Sequence, residues 1–277
     1  MHNYCDGQVY TLSDRRDQIV GVDTRVPVLD GADRPYVFLD NAASTPTFRR
    51  VLECILEFMP WYSGVHRGTG FKSWIATDAY DKAHEVVGKF VGADLTANVV
   101  TFTKNTTECI NKLANRFKFQ PDDIVVTTSM EHHSNDLPWR KYASVIHVPI
   151  VEHGYLDLKV LREILLEYKG KVKLVAVGGA SNITGLCSPI HHIAELAHAA
   201  GAKIFVDAAQ LAPHRPIDIL PNDFPRHIDF IAFSAHKMYA PFGTGVLIGP
   251  NDFFEESVPD AVGGGVASVA FSPDGQR

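Results

Sequence analysis

Residues 227–245 read HIDFIAFSAHKMYAPFGTG and give the clearest indication of the fold. Residues 228–233 form an apolar run with branched and aromatic side chains, which is typical of a buried strand. A second apolar run, residues 246–248, follows after a short turn that contains Pro241 and Gly243. Because this turn is too short for a crossover helix, we expect the second strand to run antiparallel to the first.

Lys237 lies in this turn between two predicted core strands. Its neighbours in the sequence are largely apolar: Phe233, Met238, Tyr239 and Phe242. A lysine is costly to bury unless it is paired or uncharged, and a lowered lysine pKa is what makes a Schiff-base nucleophile. The alternative is that Lys237 ends the strand and points into water. This stretch alone favours neither interpretation.

The composition is that of an ordinary globular chain. Of its 277 residues, 45% are hydrophobic and 21% are charged, and the net charge is −6. The negative charge argues against a nucleic acid or an anionic membrane as partner. The four cysteines show no CxxC spacing, so we expect neither a metal site nor a disulfide framework. With no apolar leader and no membrane span in the sequence, the expected location is the cytoplasm.

Apolar runs alternate with helical patterns along most of the chain. Strands are predicted at residues 36–39, 99–102, 124–127, 145–150, 172–177 and 203–206. This alternation predicts an α/β fold, a mostly parallel mixed sheet with helices on both faces in three layers. Residues 1–35 are predicted to be an arm that packs on a neighbouring segment or a partner subunit, and residues 36–277 to form one domain.

Three helix starts are predicted from capping residues. Thr45 and Ser188 each precede a proline and are predicted N-caps. Asn105, with Glu108 three residues later, has the spacing of a capping box. The same helix start could bind an anion, because its first turn offers hydroxyl groups and free N–H groups at the positive end of the helix dipole. The local sequence favours a plain cap.

Polar residues follow several of the predicted strands. In a parallel sheet, ligands bind beyond the carboxyl ends of the strands, so we expect these side chains to converge. They are Thr106, Thr107, His132, Asn182, Asp207, Gln210, Ser234, His236 and Lys237. An amine, a carboxylate, an imidazole and an anion-binding helix start are the groups that pyridoxal 5′-phosphate (PLP) chemistry requires. The set therefore predicts a PLP site.

Several longer motifs occur in the order seen in one known family. They are DNAAST at 40–45, VHRG at 65–68, MEHHSN at 130–135, ASNITG at 180–185, VDAAQ at 206–210 and SAHKMYAPFGTG at 234–245. Over residues 36–265 the chain resembles class V aminotransferase-fold enzymes, and within them the SufS type of cysteine desulfurase and selenocysteine lyase. The resemblance implies the large domain of a fold type I PLP enzyme.

The resemblance also implies a role for each matching residue. Lys237 would form the Schiff base, Asp207 would pair with the pyridine nitrogen, and His132 would stack on the ring and move protons. The remaining roles are contacts: Thr106, Thr107, Ser234 and His236 with the phosphate, Gln210 with the ring hydroxyl, Asn182 with the ring hydroxyl and the substrate carboxylate, and Ala43 with the substrate. Asn105 departs from the family, which usually has glycine there.

Members of this family are homodimers with the site at the subunit interface, and Gly264 and Gly265 would approach the partner's phosphate. The sulfur-accepting cysteine and the carboxylate-binding arginine belong to a smaller C-terminal domain that this sequence does not reach. We therefore expect the 277-residue chain to bind PLP but not to desulfurate L-cysteine at a useful rate. The implied partners are an amino-acid substrate and a sulfur-acceptor protein.

Two other functions remain open. One is a different class V reaction, such as that of an aminotransferase or an epimerase. The other is a non-catalytic module that keeps the fold. The intact set of Lys237, Asp207, His132 and Gln210 favours an enzyme. Among the remaining candidates, Cys109 and Cys187 are predicted to be packing residues, and the histidines 191, 192 and 198 are predicted to lie on the surface.

Overall fold

The computed structural model describes residues 12–255, which form a seven-stranded sheet covered by helices and a small separate hairpin. The strands are β1 (Arg25–Pro27), β2 (Asp33–Pro35), β3 (Asn98–Thr103), β4 (Ile124–Thr128), β5 (Ser144–Val148), β6 (Val172–Gly178), β7 (Lys203–Asp207), β8 (Phe230–Ser234) and β9 (Gly245–Pro250). The helices are α1 (Leu12–Asp17), α2 (Arg49–Phe58), α3 (Phe71–Phe90), α4 (Thr106–Arg116), α5 (Leu137–Arg140), α6 (Leu158–Glu167), α7 (Ile190–Ala199) and α8 (Asn251–Glu255).

The direction of the strands determines at which edge of the large sheet a ligand site is expected. Their order is β3-β9-β8-β7-β6-β4-β5, and only β9 runs antiparallel to its two neighbours among the described strands. The prediction of a largely parallel sheet with an antiparallel strand after Lys237 is confirmed. The carboxyl ends of the other six strands consequently lie along the same edge, where a ligand site is expected.

The core lies on both faces of this sheet because neighbouring residues of a strand point to opposite faces. On one face Phe205 of β7 packs edge-on against Trp139, with ring centroids 5.8 Å apart. On the other face Ile204 and Val206 join the buried cluster that contains Ile193 of α7. This confirms the three-layer arrangement. Replacing fully buried Phe205 by alanine would cost about 3–5 kcal/mol of unfolding free energy.

The described part of the predicted arm packs on its own chain. The amide of Val20 donates to the carbonyl oxygen of Thr47 at 2.9 Å, and the amide of Arg49 donates to the carbonyl oxygen of Gln18 at 2.6 Å. Residues 18–20 therefore hold the segment that leads into α2. The division at residue 36 stays a prediction. Within residues 12–255, every helix is too short or too polar to cross a lipid bilayer.

The predicted strand at residues 36–39 is wrong. These residues have no regular secondary structure, and Tyr36 and Leu39 are 51% and 86% exposed. A short apolar run becomes a strand only where a neighbouring strand accepts its hydrogen bonds. No described strand pairs with this segment, although its composition resembles that of a strand.

Two of the three predicted caps are also wrong. Helix α2 begins at Arg49, with Phe48 at the N-cap, and Thr45 instead donates to the carbonyl oxygen of His236 at 3.0 Å. Helix α7 follows Pro189 at the N-cap, and the hydroxyl of Ser188 donates to the carbonyl oxygen of Gly178 at 2.7 Å. Both hydroxyls bind a distant carbonyl rather than the helix that follows them.

The cap at Asn105 is confirmed. Its side-chain oxygen accepts the amide of Glu108 at 2.8 Å, and the carboxylate of Glu108 accepts the amide of Lys104 at 2.7 Å. These two reciprocal bonds fix the entry of the chain into α4. The start of α4 is thereby held at the carboxyl end of β3, beside the functional edge of the sheet.

Candidate functional site

A cavity of about 260 Å³ lies at the carboxyl ends of the parallel strands. The end of β7 supplies Asp207, the turn after β8 supplies Lys237, the turn after β4 supplies His132, and the start of α4 supplies Thr106. The other residues predicted for cofactor and substrate also line it: Ala43, Thr107, Asn182, Gln210, Ser234 and His236. Every one of these ten residues therefore reaches the same cavity, while the role of each stays a prediction.

Lys237 ends the 3₁₀ turn Ala235–Lys237 that connects β8 to antiparallel β9. The residue is half-buried, and loss of solvent lowers the pKa of its amine although the nearby charge of Asp207 raises it. This environment favours the buried interpretation of Lys237 over a lysine that points into water. Thr45 holds this turn through two hydrogen bonds. Its amide donates to the carbonyl oxygen of His236 at 2.9 Å, and its hydroxyl accepts the amide of Tyr239 at 2.7 Å.

Gly245, at the start of β9, permits this arrangement. A Cβ atom at this position would lie 2.5 Å from the carbonyl carbon of Asn105. Such a contact is impossible without moving the backbone of one segment, so only glycine lets β9 pass the start of α4 this closely. The close approach keeps the lysine turn and the helix start on the same cavity.

Asp207 is a buried carboxylate on the cavity wall, with 8% of the residue exposed. Burial raises the pKa of its carboxyl, while the hydrogen bond from the amide of Ala209 (3.0 Å to Oδ1) and the positive charges of Lys237 and His132 lower it. The net direction is upward. A carboxylate in this position gains from a cationic partner inside the cavity, because an isolated buried charge is costly.

Hydroxyl groups cluster at the start of α4. The amide of Thr106 donates to the hydroxyl of Ser234 at 2.8 Å, and the hydroxyls of the two residues share a hydrogen bond at 2.6 Å. The hydroxyls of Thr107 and Ser134 are 2.8 Å apart. The cap formed by Asn105 and Glu108 and the hydroxyl cluster use different groups of the same helix turn. The helix start is therefore both capped and able to receive an anion.

His132 stands at the mouth of the cavity, where its side chain is exposed. The amide of Ser134 donates to its Nδ1 atom at 3.1 Å. Since Nδ1 accepts this bond, the proton of the neutral ring is on Nε2. His132 thus presents an N–H donor away from the backbone turn that holds it.

Glu131 is a site residue that the sequence argument missed. The hydroxyl of Thr128 donates to its Oε1 atom at 2.6 Å, and the side-chain amide of Asn135 donates to its Oε2 atom at 2.7 Å. Burial, with a further contribution from the charge of Asp207, raises the pKa of its carboxyl to about 7. The motif MEHHSN contains this residue, but nothing in the motif shows that the side chain turns inward and lines the cavity.

Gln210 and Asn182 form part of the wall of the cavity. The side-chain amide of buried Gln210 donates to the carbonyl oxygen of Ala42 at 2.6 Å, which holds the segment carrying Ala43 against the cavity. Asn182 is exposed and lies in a turn closed by the hydroxyl of Ser181, which accepts the amide of Ile183 at 3.2 Å.

Cys109 is a packing residue, as predicted. It is fully buried, and its sulfur lies 3.0 Å from the hydroxyl oxygen of Thr103. Burial raises the pKa of the thiol to about 12, so the helix start does not produce a reactive thiolate here.

Gly264 and Gly265, predicted to approach the partner subunit, lie outside the described residues.

The surface prediction for His198 is wrong. Its Nε2 atom lies 2.9 Å from Oδ2 of buried Asp229, and its Nδ1 atom lies 2.8 Å from the carbonyl oxygen of Pro225. Because both ring nitrogens face acceptors, the doubly protonated ring is favoured and the pKa of His198 is raised. His227 and Asp229 complete a group with ligand-like spacing. Lys203 lies 3.0 Å from Asp229, and His198 has no free lone pair for a metal ion. The group is therefore an ion-pair cluster.

Comparison with known proteins identifies one family. The family described as Aminotransferase class-V matches residues 37–276. A cysteine desulfurase from Haloferax volcanii is 38% identical over 244 residues, which cover 85% of this chain and 56% of that protein. A probable cysteine desulfurase from Synechocystis sp. is 40% identical over 251 residues, which cover 86% of this chain and 57% of that protein.

Two solved structures show the same arrangement. The apo structure of a cysteine desulfurase from Thermococcus onnurineus matches with a TM-score of 0.83 and 31% identity, covering 98% of this chain and 64% of that one. A cysteine desulfurase from Escherichia coli matches with a TM-score of 0.77 and 31% identity, covering 97% of this chain and 65% of that one. The chain spans little more than half the length of the curated relatives it matches.

Proposed function

Because the chain belongs to the class V aminotransferase family, we propose that it is the PLP-binding part of a cysteine desulfurase-like enzyme, which cleaves the C–S or C–Se bond of an amino acid. The observation that carries the proposal is one cavity that combines Lys237, half-buried and with a lowered pKa, with the buried carboxylate of Asp207. Relatives with the printed name cysteine desulfurase support the choice of reaction.

The residues present fit PLP chemically. The hydroxyls of Thr106, Thr107 and Ser234, at the positive end of α4, suit a phosphate group. The carboxylate of Asp207 suits a protonated pyridine nitrogen, which would supply the cation that its burial calls for. The amine of Lys237 suits an aldehyde. A phosphate, a basic ring nitrogen and an aldehyde occur together in PLP.

When bound, PLP supplies an electron sink for bonds at the substrate's Cα atom. Asp207 would hold the proton on the ring nitrogen, since its carboxylate stays charged beside that cation. Lys237 would bind the aldehyde carbon through its neutral amine, and burial, which lowers the pKa of that amine, favours the neutral form. Once displaced by the substrate's amino group, the same amine would act as the base that removes the Cα proton.

His132 would act at the solvent side of the cavity. Its Nε2–H group is the only ring donor in the neutral tautomer that the Ser134 amide selects. A donor at this position can take part in proton exchange between the substrate and water. Ser134 and Thr107 connect this turn to the start of α4, so the imidazole is held relative to the phosphate end of the cavity.

We further propose a homodimer, a cytoplasmic location and a sulfur-acceptor protein as partner. The first is supported by exposed aromatic side chains on the segment that follows α2 and on the first turn of α3: Trp61, Tyr62, Phe71 and Trp74. Large aromatic side chains of this kind are enriched at protein interfaces. Sedimentation of wild-type chain and of a Trp74→Glu variant would test it: the variant should shift from dimer to monomer.

The alternatives are separated by their products. A desulfurase gives alanine and zero-valent sulfur or selenium, which an added thiol reductant releases as sulfide or selenide. An aminotransferase gives a keto acid, and an epimerase gives the opposite enantiomer. A non-catalytic module would give none of these. We expect the chain to load PLP, and the product formed from L-cysteine distinguishes the four functions.

The decisive experiment is covalent trapping. The chain is incubated with PLP, reduced with borohydride, digested and mapped by mass spectrometry. A pyridoxyl group is expected on Lys237 and should vanish in Lys237→Arg. The matched control is Lys104→Arg, which removes an exposed lysine near the start of α4 and should leave the labelling intact. Labelling elsewhere, or none with PLP in excess, would contradict the proposal.

A further inference from the structure

The turn that carries Lys237 has an uncommon backbone conformation. Tyr239 and Phe242, which follow the lysine within five positions, have positive φ angles of 61° and 69°. Bulky residues rarely adopt this left-handed conformation, and it persists only where the surrounding structure holds the backbone in place. Strain of this kind is concentrated at functional sites. Groups outside the turn must therefore hold it in this form.

The hydroxyl of Thr45 contacts the turn on both sides of the lysine. It donates to the carbonyl oxygen of His236 at 3.0 Å and accepts the amide of Tyr239 at 2.7 Å. The carbonyl of His236 has further donors, since the amide of Thr45 and the hydroxyl of Ser44 also reach it. Among residues 12–255, the amide of strained Tyr239 has the Thr45 hydroxyl as its only acceptor. Loss of this one hydroxyl would leave that amide unpaired.

Phe48 holds Tyr239 from the same segment of the chain. Its amide donates to the carbonyl oxygen of Tyr239 at 3.0 Å. The two rings stack, with centroids 4.1 Å apart and planes 8° from parallel. The segment itself is tied down, because the carbonyl oxygen of Thr47 accepts the amide of Val20 at 2.9 Å. Residues 45–48 thus form a fixed support for the strained part of the turn.

We propose that Thr45 is a positioning residue for Lys237, which holds the strained turn in the form that presents the amine to the PLP cavity. Thr45 does not line that cavity, so it acts only through the backbone of the turn. A reacting group that is displaced by about 1 Å can lose a factor of about 100 in rate. The inference rests on the proposed function, because the position of the amine matters only if an aldehyde reaches it.

The first test needs no cofactor. The cofactor-free chain is acetylated with trace acetic anhydride across a range of pH, and mass spectrometry compares Lys237 with exposed Lys104 as internal standard. Burial lowers the pKa of the Lys237 amine, so a turn that relaxes toward solvent should raise it. Thr45→Val keeps the shape of the side chain without its hydroxyl and should move the midpoint of Lys237 labelling upward. The titratable groups that line the same cavity stay unchanged: Glu131, His132, Asp207 and His236.

Two matched variants separate positioning from a general loss of stability. Thr45→Ser keeps the hydroxyl and should titrate like wild type. Thr47→Val is the same substitution two positions later, at a half-buried residue whose hydroxyl has no hydrogen bond within residues 12–255, and it should also leave the midpoint unchanged. An unchanged midpoint in Thr45→Val, or an equal shift in Thr47→Val, would overturn the proposal. If Thr45→Val does not fold, Phe48→Leu releases Tyr239 on the ring side, and an unchanged midpoint there would overturn it as well.

A second measurement uses PLP and distinguishes the two proposals. The rate of covalent PLP binding, followed by visible absorbance, should fall about 10- to 100-fold in Thr45→Val and recover in Thr45→Ser. Equal rates in wild type and Thr45→Val would overturn the role of Thr45 while PLP still binds Lys237. An upward shift of the labelling midpoint in Thr45→Val, without covalent PLP binding in wild type, would instead overturn the proposed function.

Discussion

Asp207 and Asp229 are two buried aspartates of neighbouring strand segments with opposite electrostatic surroundings. Asp207 is the last residue of β7, at the functional edge, and Asp229 precedes β8 at the opposite edge of the sheet. They are 8% and 3% exposed. Burial raises the pKa of Asp207, and its one strong hydrogen bond, from the amide of Ala209, does not reverse the shift. At Asp229 burial acts in the same direction, but its partners win and its pKa lies far below the usual range.

The partners of Asp229 saturate its carboxylate. Oδ2 accepts the amide of Ile204 at 2.8 Å and Nε2 of His198 at 2.9 Å, while Oδ1 accepts the ammonium of Lys203 at 3.0 Å. Among residues 12–255, no cation makes a comparable contact with Asp207. The difference shows how a fold separates structure from function: one buried charge is fully paired within the chain, and the other is left for a ligand.

The largest expected effect is at Asp229. Asp229→Asn keeps the shape of the side chain but removes the negative charge that Lys203 and the imidazolium of His198 both contact. Removing one partner of a buried ion pair typically costs about 3–5 kcal/mol of unfolding free energy. Urea denaturation at pH 7 measures it, with Asp122→Asn at an exposed position as control. A loss below about 1 kcal/mol would mean that the cluster does not carry the stability assigned to it.

Asp207→Asn should reduce activity without reducing the stability of the cofactor-free fold. The cofactor-free variant should unfold with a free energy equal to that of wild type or higher, because a costly buried charge is removed and the amide of Ala209 keeps an acceptor. The PLP-loaded enzyme should lose activity by at least about 10²-fold, since the ring nitrogen loses its charged partner. Unchanged turnover would show that Asp207 does not contact the ring nitrogen.

Glu131 is a third buried carboxyl, and it sharpens the comparison through pH. Its pKa of about 7 in the fold exceeds the unfolded value of 4.5, so the folded state holds a proton that the unfolded state has lost between these values. Its contribution to stability therefore falls by roughly 2–3 kcal/mol as the pH rises from 4.5 to 7. Urea denaturation across this range should show the fall in wild type relative to Glu131→Gln. A constant difference between the two proteins would refute it.

The smallest expected effect is at His198. Burial lowers the pKa of its ring, but the bonds to Asp229 and Pro225 raise it overall. The stability that this cation contributes is complete below the unfolded pKa of about 6.5 and is lost as the pH rises through the folded pKa. His198→Gln should therefore lose about 1 kcal/mol at pH 6 and less at pH 9. Melting temperatures at the two pH values measure this, and an equal loss at both would exclude a charged ring.

The sequence predicted the sheet and the convergence of the site well, for a physical reason. Buried strands require continuous apolar runs, and the short turn around Lys237 permits only an antiparallel neighbour. Once the strands are parallel, residues such as Asp207 and His132 must meet at one edge. These features depend on local pattern and topology alone, and both can be derived from the printed residues.

The errors and omissions depend on tertiary partners instead. Thr45 and Ser188 have the residue type of a cap, but each hydroxyl binds the carbonyl of a distant segment. Glu131 lines the cavity, which becomes visible only when the walls are assembled. His198 was assigned to the surface because Asp229, its partner, is 31 positions away in the sequence.

The bonds of residues 42–45 also determine when the site can form. Ala42 is joined to Gln210 across 168 positions of the chain, and Thr45 to Tyr239 across 194. Contacts of such high contact order form late in folding, because a very long loop must close before they gain anything. On the ribosome, the lysine turn stays unfastened until nearly the whole described chain has emerged. A ligand that binds only the closed cavity acts as a clamp on this last step, so PLP supply would govern the yield of folded protein as well as its chemistry.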